Sequence, residues 1–205
     1  MNHLIIFAHP NPNSLNAHLK NEVFAFLKEH GHRVKIRDLY QNSFDPILSI
    51  KDLTGQISGE LSSEIIQEQD YINWADCITF IHPIWWTGLP AILKGYIDRV
   101  FTYGFAYRYD HGKQKGLLTG KKAVVINTQG KSAEEYAELG MDKALKLTSE
   151  TGIYEYCGLD IQKHFFVDRA EQVSADILQN WERKIKRVFS RLIPDPEKEV
   201  KEKML

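Results

Sequence analysis

The alternation of short apolar runs with amphipathic segments constrains the fold of this chain more than any other feature. Residues 3–8 (HLIIFA) are almost wholly apolar and rich in branched side chains, as in a parallel strand that is covered on both faces. Comparable runs predict four further strands, at 33–36, 77–82, 121–127 and 164–167. Apolar residues at helical spacing predict five helices, at 14–30, 62–74, 91–101, 141–156 and 174–192.

Strands and helices that alternate in this way favour an open α/β fold, because right-handed crossovers place helices on both faces of a parallel sheet. Sheets of this kind bind ligands at the carboxyl ends of their strands. The polar, proline-containing stretch 38–59 is predicted to be a long excursion from the alternating pattern. We predict one domain over residues 1–193, followed by a charged, mobile tail at 194–205.

Composition excludes several classes of protein. With 43% hydrophobic and 26% charged residues, the 205-residue chain is an ordinary globular protein. A formal net charge of -1 provides no overall field for nucleic acid or an anionic membrane. No apolar run approaches the roughly 20 residues that a membrane-spanning helix needs, so we expect no membrane insertion and a cytoplasmic location. Cys77 and Cys157 have neither a paired motif nor metal-ligand spacing, so we expect two small core residues and no metal site.

The first of three informative loops follows the first predicted strand. It runs from residue 9 to residue 16 (HPNPNSLN) and leads into a helix, whose free N–H groups and dipole suit a phosphate. His9, Ser14 and Asn16 are the candidate side chains. The alternative is that Ser14 caps the helix and His9 hydrogen-bonds within its own loop. The loop lacks the glycines of the dinucleotide-binding and P-loop motifs, so neither of those readings is favoured.

The second loop, residues 83–90 (PIWWTGLP), places two tryptophans between prolines just after the third predicted strand. A stiff backbone and flat apolar side chains suit an aromatic ring system such as isoalloxazine. The backbone N–H groups of Trp85, Trp86 and Thr87 are predicted to bind the polar edge of that ring. The alternative is that a tryptophan of this pair is a core plug beneath the next helix.

The third loop follows the fourth predicted strand and combines amide and hydroxyl groups with a glycine that permits close backbone approach. Its residues are Asn127, Thr128, Gln129 and Gly130, and Tyr136 lies a little beyond. These groups are predicted to hydrogen-bond a flavin or its substrate, although such a loop by itself is an ordinary turn. Because the fold brings all three loops to one edge of the sheet, their convergence predicts a single site.

These loops, together with residues 88–95 (GLPAILKG), 98–101 (DRVF) and 105–107 (FAY), resemble the NAD(P)H quinone oxidoreductases of the DT-diaphorase type, including their shorter bacterial members. The resemblance covers nearly the whole chain up to the last helix. It implies a flavodoxin-like five-stranded sheet of order 2-1-3-4-5 and a homodimer. It also implies a tightly bound FAD or FMN that carries a hydride from NAD(P)H to a quinone or similar small acceptor.

The resemblance also implies roles for particular residues. The phosphate arm of the flavin would be contacted by His9, Leu15 and Asn16. The ring would be surrounded by Pro83, Ile84, Trp85, Trp86, Thr87, Asn127, Thr128, Gln129 and Gly130. Gln69 matches a position that contacts the adenine half of FAD in larger members, which favours FAD over FMN. Phe105 and Tyr107 would line the partner-facing wall of the substrate pocket, and the alternative for these aromatics is simple dimer packing.

The chain departs from the family pattern at the groups that assist proton transfer. Larger members carry a tyrosine and, six residues later, a histidine beside the ring. Tyr136 matches the tyrosine only with a one-residue insertion, and the histidine position falls near Asp142. Tyr136 is therefore the candidate catalytic side chain, and we expect water or the flavin alone to handle the proton.

Two other classes of function remain open from the sequence. Short members of the group are similar to proteins that sit on potassium efflux systems and regulate them, so an ancillary subunit is one alternative. A flavodoxin-type one-electron carrier is the other. The near-neutral charge of the chain argues against the carrier, because carriers usually present a strongly acidic docking face.

Overall fold

The computed structural model describes residues 1–192, and the predicted tail 194–205 lies outside the described residues. Five parallel strands form its central sheet in the order β2-β1-β3-β6-β7. Their bounds are β1 Asn2–Phe7, β2 Arg33–Asp38, β3 Cys77–Pro83, β6 Lys122–Thr128 and β7 Asp160–Val167. A separate antiparallel hairpin is formed by β4 Tyr107–Asp110 and β5 Lys113–Gly116. The sheet confirms the predicted flavodoxin-like order, with β6 and β7 as its fourth and fifth strands.

Helices cover both faces of the sheet. They are α1 Leu15–Glu29, α2 Ile50–Ser58, α3 Ser63–Trp74, α4 Ala91–Val100, α5 Ala133–Glu138, α6 Met141–Leu145, a π-helix Lys146–Glu155 and α7 Ala175–Leu192. One apolar core joins the sheet to α3, α4 and the π-helix, and a second joins its other face to α1 and α7. Side chains alternate between the two cores along each strand, so Phe80 belongs to the first core and Ile81 to the second.

The structure corrects the predicted helix at 141–156. Only α6 is α-helical there, and the segment continues as the π-helix, while α5 precedes it as a separate short helix. The hydroxyl groups of Thr148 and Ser149 donate to the carbonyl oxygens of Ala144 and Leu145, at 3.0 and 2.6 Å. Such bonds compete with the main-chain ladder, which is consistent with a change of helix type at this point.

The excursion at 38–59 is also more ordered than predicted, because it contains α2. Ser49 and Asp52 form a reciprocal capping box at its start: Ser49 Oγ accepts from Asp52 N, and the Asp52 carboxylate accepts from Ser49 N. The β4–β5 hairpin was likewise not predicted, although His111 and Gly112 at its turn both have positive φ, as tight hairpin turns require.

The two cysteines are buried and free, as expected for small core residues. Among the helices of residues 1–192, none combines the length and the apolar character needed to cross a membrane.

Candidate functional site

The three loops meet at the carboxyl edge of the sheet, as their positions after β1, β3 and β6 predicted. The strands end in register, with Pro83 of β3 opposite Thr128 of β6. Two hydrogen bonds tie the loops together: Asn16 Nδ2 donates to Thr128 Oγ1 at 2.7 Å, and Ile84 N donates to the Thr128 carbonyl at 2.8 Å. Thr128 thus fixes the first and second loops relative to the third.

In the first loop, Ser14 caps the helix and His9 bonds within the loop, as the alternative prediction had it. Each side chain still keeps a hydrogen that it can donate to a ligand. Ser14 caps α1, since its Oγ accepts from Ala17 N at 3.2 Å, and the hydroxyl hydrogen is not used by that bond. His9 Nδ1 lies 3.0 Å from Asn11 N and 3.2 Å from the Asn11 carbonyl oxygen; in the shorter contact Nδ1 accepts, which places the ring hydrogen of a neutral His9 on Nε2. Burial lowers the pKa of His9, although the contact with the Asn11 backbone opposes the shift. His9 is therefore a neutral Nε2–H donor at pH 7.

Two buried acceptors beside these loops have no hydrogen-bond donor within residues 1–192. They are Asn16 Oδ1, on a side chain that is 2% exposed, and Gln129 Oε1, also 2% exposed as a residue. An unsatisfied buried acceptor costs about 1–3 kcal/mol. A ligand that carries hydroxyl or N–H donors would remove this cost, so the edge is suited to a polar ligand.

The second loop turns sharply through two residues in the left-handed region, Trp86 at φ 50° and Thr87 at φ 55°. Trp85 and Gly88 exchange backbone hydrogen bonds of 3.2 and 3.0 Å across this turn. The Trp85 N–H is therefore engaged, which corrects the expectation that it binds a ligand. The N–H groups of Trp86 and Thr87 have no acceptor within the described residues. Strained turns of this kind concentrate at functional sites.

The tryptophans are not core plugs. Trp86 is 100% exposed, and Trp85 is 40% exposed, with its ring centroid 5.7 Å from that of His9. Trp85 and the His9 imidazole of the first loop are therefore neighbours at this edge, and the next residue, Trp86, is fully exposed.

A cavity of about 440 Å³ opens beside the second and third loops. It is lined by His82, Ile84, Thr87, Gly88, Leu89, Lys94, Asn127, Leu145, Thr148, Ser149 and Ile153. Its wall is mainly apolar with a few polar groups, which is typical of a small-molecule site. The structure thus brings the predicted residues Ile84, Thr87 and Asn127 together with helix residues that the sequence did not indicate.

Two lining residues of this cavity, His82 and Asn127, continue into a row of buried polar side chains that ends at His164; the sequence indicated Asn127 but not the two histidines. Asn127 Nδ2 donates to His82 Nε2 at 2.9 Å, and Asn127 Oδ1 lies 2.5 Å from His164 Nε2. Burial lowers the pKa of His82 to about 4, and burial reinforced by the charges of His82 and Lys146 lowers that of His164 to about 3. All three lie on one face of the sheet, so the two-residue alternation of strands was the available signal.

The other predicted residues lie at different depths. Tyr136 is on α5 and only 8% exposed, and Asp142 lies in the first turn of α6 with Oδ1 buried and without a partner in residues 1–192. Tyr107 lines a neighbouring cavity of about 330 Å³ that shares Lys94 and Ile153 with the first. Phe105, half-buried, packs against the apolar core.

Gln69 does not lie with the three loops. Its side-chain amide donates to the Val100 carbonyl and to Thr102 Oγ1, both at 3.0 Å. Val100 ends α4, and α4 begins just beyond the carboxyl end of β3, so Gln69 lies about a helix length, ~15 Å, from the loops. Within one chain, its donors are bound inside the fold and are not directed at the site.

Comparison with known proteins gives a consistent result. A sequence profile described as flavodoxin-like fold matches residues 1–189. A Haemophilus influenzae protein named uncharacterized NAD(P)H oxidoreductase is 44% identical over 161 residues, which cover 78% of this chain and 80% of the relative. NAD(P)H dehydrogenase (quinone) 1 of Cavia porcellus is 32% identical over 91% of this chain and 76% of its own. Among solved structures, the NAD(P)H:quinone oxidoreductase of Methanothermobacter marburgensis matches with a TM-score of 0.83 at 27% identity, over 95% of this chain and 98% of its own.

Proposed function

The chain belongs to the flavodoxin-like family, and on that premise we propose that it is a flavin-dependent NAD(P)H oxidoreductase that transfers two electrons to quinones or similar small acceptors. The observation that carries the proposal is the second loop. The N–H groups of Trp86 and Thr87 have no acceptor within residues 1–192, Trp86 is fully exposed, and Thr87 lines an apolar cavity at the edge where such sheets bind ligands.

The residues at this edge fit a flavin. The ribityl hydroxyls and the ring N–H would be donors for Asn16 Oδ1 and Gln129 Oε1, which have no donor within residues 1–192. The Nε2–H of His9 and the first turn of α1, where the Ser14 cap satisfies only the N–H of Ala17, suit the phosphate. These features are common to FMN and FAD, and the placement of Gln69 adds no support for the adenine half of FAD.

A bound flavin would supply hydride transfer, since it accepts a hydride from NAD(P)H and yields it to a second substrate. The second loop would hold the ring, and the N–H groups of Trp86 and Thr87 would face the edge where negative charge develops. The apolar cavity walls would restrict water around the reacting atoms. The cofactor would supply the chemistry, and the named residues would bind and orient it. The relatives reported above are named as oxidoreductases, and no observation favours the regulatory alternative.

The proposal is tested by the visible spectrum of the purified protein, followed by anaerobic addition of NADH or NADPH and then menadione. A flavin band that bleaches with the nicotinamide and returns with the quinone supports the proposal. A protein that stays colourless after incubation with FMN and with FAD contradicts it. Mass spectrometry of the released cofactor decides between FMN and FAD.

The cofactor site is tested by Trp86→Ala and, separately, His9→Ala. Each is expected to weaken flavin binding about tenfold, because stacking area or a phosphate donor is lost, a change of about 1.4 kcal/mol. Ile177→Ala, a substitution of another exposed apolar residue on α7, is the matched control and should leave flavin affinity unchanged. If neither site variant loses affinity, the flavin does not bind at these loops.

We further propose a homodimer formed through the face of α2. Ile50, Leu53 and Ile57 are 76%, 44% and 88% exposed, and Leu53 and Ile57 share one surface cavity with the 51% exposed Tyr103. An apolar patch of this kind is typical of a protein interface. Ile57→Glu is expected to shift the chain toward a monomer in sedimentation equilibrium, whereas Ile177→Glu should leave the dimer intact. A monomeric wild-type chain would rule out this interface.

A further inference from the structure

Four side chains at the carboxyl edge form a continuous chain of hydrogen bonds. His82 Nδ1 lies 3.0 Å from the Pro83 carbonyl oxygen, and His82 Nε2 lies 2.9 Å from Asn127 Nδ2. The chain continues from Asn127 Oδ1 to His164 Nε2 at 2.5 Å, and from His164 Nδ1 to Glu150 Oε1 at 2.8 Å. It begins at a carbonyl and ends at a carboxyl group, so with Glu150 ionised both ends are acceptors.

The number of hydrogens available in this hydrogen-bond chain does not match its number of contacts. Each of the four contacts needs one hydrogen. Neutral His82 and neutral His164 contribute one each, and the Asn127 amide contributes one whichever way round it lies. Ionised Glu150 contributes none. Three hydrogens cannot complete four bonds, so the fully bonded chain holds one proton more than a state with two neutral histidines and a carboxylate.

The directions of the two pKa shifts favour Glu150 over His164 as the group that carries this proton. Burial raises the pKa of Glu150, and Glu155 acts in the same direction, while Lys146 and Lys163 oppose the shift. The pKa of His164 is lowered to about 3, first by burial and then by His82 and Lys146. A protonated Glu150 that donates to His164 Nδ1 satisfies every contact in the chain without a buried charge.

The location of this proton is suited to the reaction. His82 and Asn127 line the 440 Å³ cavity, as do Thr148 and Ser149, which precede Glu150 on the π-helix. The Glu150 side chain is 20% exposed, whereas that of His164 is 2% exposed. Glu150 therefore follows two cavity-lining residues in the chain, bonds to the buried His164, and is exposed enough to be reprotonated from solvent.

We propose that His82, Asn127, His164 and Glu150 form a proton store for the step that reduces the acceptor. The inference rests on the proposed function. Overall, NAD(P)H, a quinone and one proton give NAD(P)⁺ and a hydroquinone; the hydride comes from the nicotinamide by way of the flavin, and the proton must come from the protein or from solvent. Glu150 provides that proton, becomes a carboxylate and regains a proton from solvent. His164, Asn127 and His82 are positioning residues that hold the store together.

The first test needs no flavin and uses Glu150→Gln. The Gln amide can donate permanently to His164 Nδ1, so this variant mimics the protonated store. As the pH rises above 4.5, the ordinary value for the carboxyl, the Tm of the wild type is expected to fall relative to that of Glu150→Gln. Glu138→Gln, at an exposed glutamate of α5 that is not among the charges acting on Glu150, is the matched control and should follow the wild type. If Glu150→Gln follows the wild type at every pH, Glu150 does not hold the proton and the proposal is wrong.

An infrared measurement on the wild-type chain keeps the proposal testable if Glu150→Gln does not fold. A carboxylic acid C=O band should persist above the pH at which exposed carboxyl groups ionise. Its absence would overturn the assignment of the proton to Glu150.

The second test separates the two half-reactions by stopped flow. Reduction by NADH or NADPH consumes no stored proton, so its rate in Glu150→Gln should stay within twofold of the wild type. Reoxidation by menadione should slow about tenfold or more, in the range that a lost general acid produces. Equal reoxidation rates in the two proteins would overturn the inference and leave the proposed function intact. If flavin is not reduced in either protein, the proposed function itself has failed.

Discussion

The two edges of the central sheet both bury histidines, but they surround them differently. At the carboxyl edge, His82 and His164 belong to a hydrogen-bond chain that passes through Asn127 to Glu150. At the amino edge, His3 is 1% exposed and packs edge-on against His32, with ring centroids 4.8 Å apart. Neither ring nitrogen of His3 has a hydrogen-bond partner within residues 1–192.

Burial depresses the pKa of a histidine at both edges, to about 4 for His3 and for His82. The pKa alone therefore does not distinguish a structural histidine from one in a functional site. Connectivity does: the carboxyl-edge chain has a bonding position for one more proton, whereas a proton on His3 would be an unpaired buried charge. The number of hydrogen bonds around a buried histidine therefore separates a structural from a functional site better than its degree of burial does.

The largest expected effect comes from interrupting the hydrogen-bond chain at His164, which joins Asn127 to Glu150. His164→Leu leaves Asn127 Oδ1 and the Glu150 carboxyl without their partner, which should lower the free energy of unfolding by about 3–4 kcal/mol at pH 7. Urea denaturation measures the difference. A loss below about 1 kcal/mol would show that this hydrogen-bond chain adds no more to the free energy of unfolding than ordinary packing does.

Acid should destabilise the protein through both edges. Unfolded histidine takes up a proton near pH 6.5, whereas folded His3 and His82 do so only near 4, so the unfolded state binds more protons between these values. The free energy of unfolding therefore falls as the pH decreases through this window, by up to about 3 kcal/mol for each such histidine. Glu150 acts with the opposite sign, because its raised pKa makes stability fall as the pH rises above 4.5. Denaturation curves measured from pH 4 to pH 8 would show both slopes.

The smallest expected effect is at the amino edge. His3→Leu removes two unsatisfied nitrogens and keeps apolar volume, so it should leave stability at pH 7 unchanged or raise it by about 1 kcal/mol. This substitution should also remove the part of the acid-induced loss of stability that arises from protonation of His3. If His3→Leu costs as much as His164→Leu, the distinction between the two edges is wrong.

Much of the fold followed from local patterns. The strand runs were recognisable because a strand covered on both faces is nearly all apolar, and the order of the sheet was implied by the resemblance. The missed elements have weaker signals. The amphipathic helix α2 lies in a polar stretch and leaves Ile50 and Ile57 exposed, and the change to a π-helix at Lys146–Glu155 depends on side-chain bonds to the backbone.

The candidate site was predicted in outline. Asn16 and Thr128 were both singled out, and the structure joins them by a hydrogen bond of 2.7 Å across 112 residues. Trp86 was placed at the mouth of the sheet, where it is fully exposed. Gln69 was grouped with the site by resemblance, whereas the structure holds its amide donors at the end of α4. The roles of these residues toward a flavin stay predictions.

The sequence by itself determined the alternating architecture and the three loops at one edge, because apolar periodicity and the handedness of crossovers depend on neighbours along the chain. Only the tertiary structure decided which polar groups meet. Glu150, His164, Asn127 and His82 come from the π-helix and three strands, and no local pattern records that their hydrogen-bonding atoms lie within 3.0 Å of one another. Hydrogen bonds are short and directional, so their partners are fixed by packing in three dimensions and not by spacing in the chain.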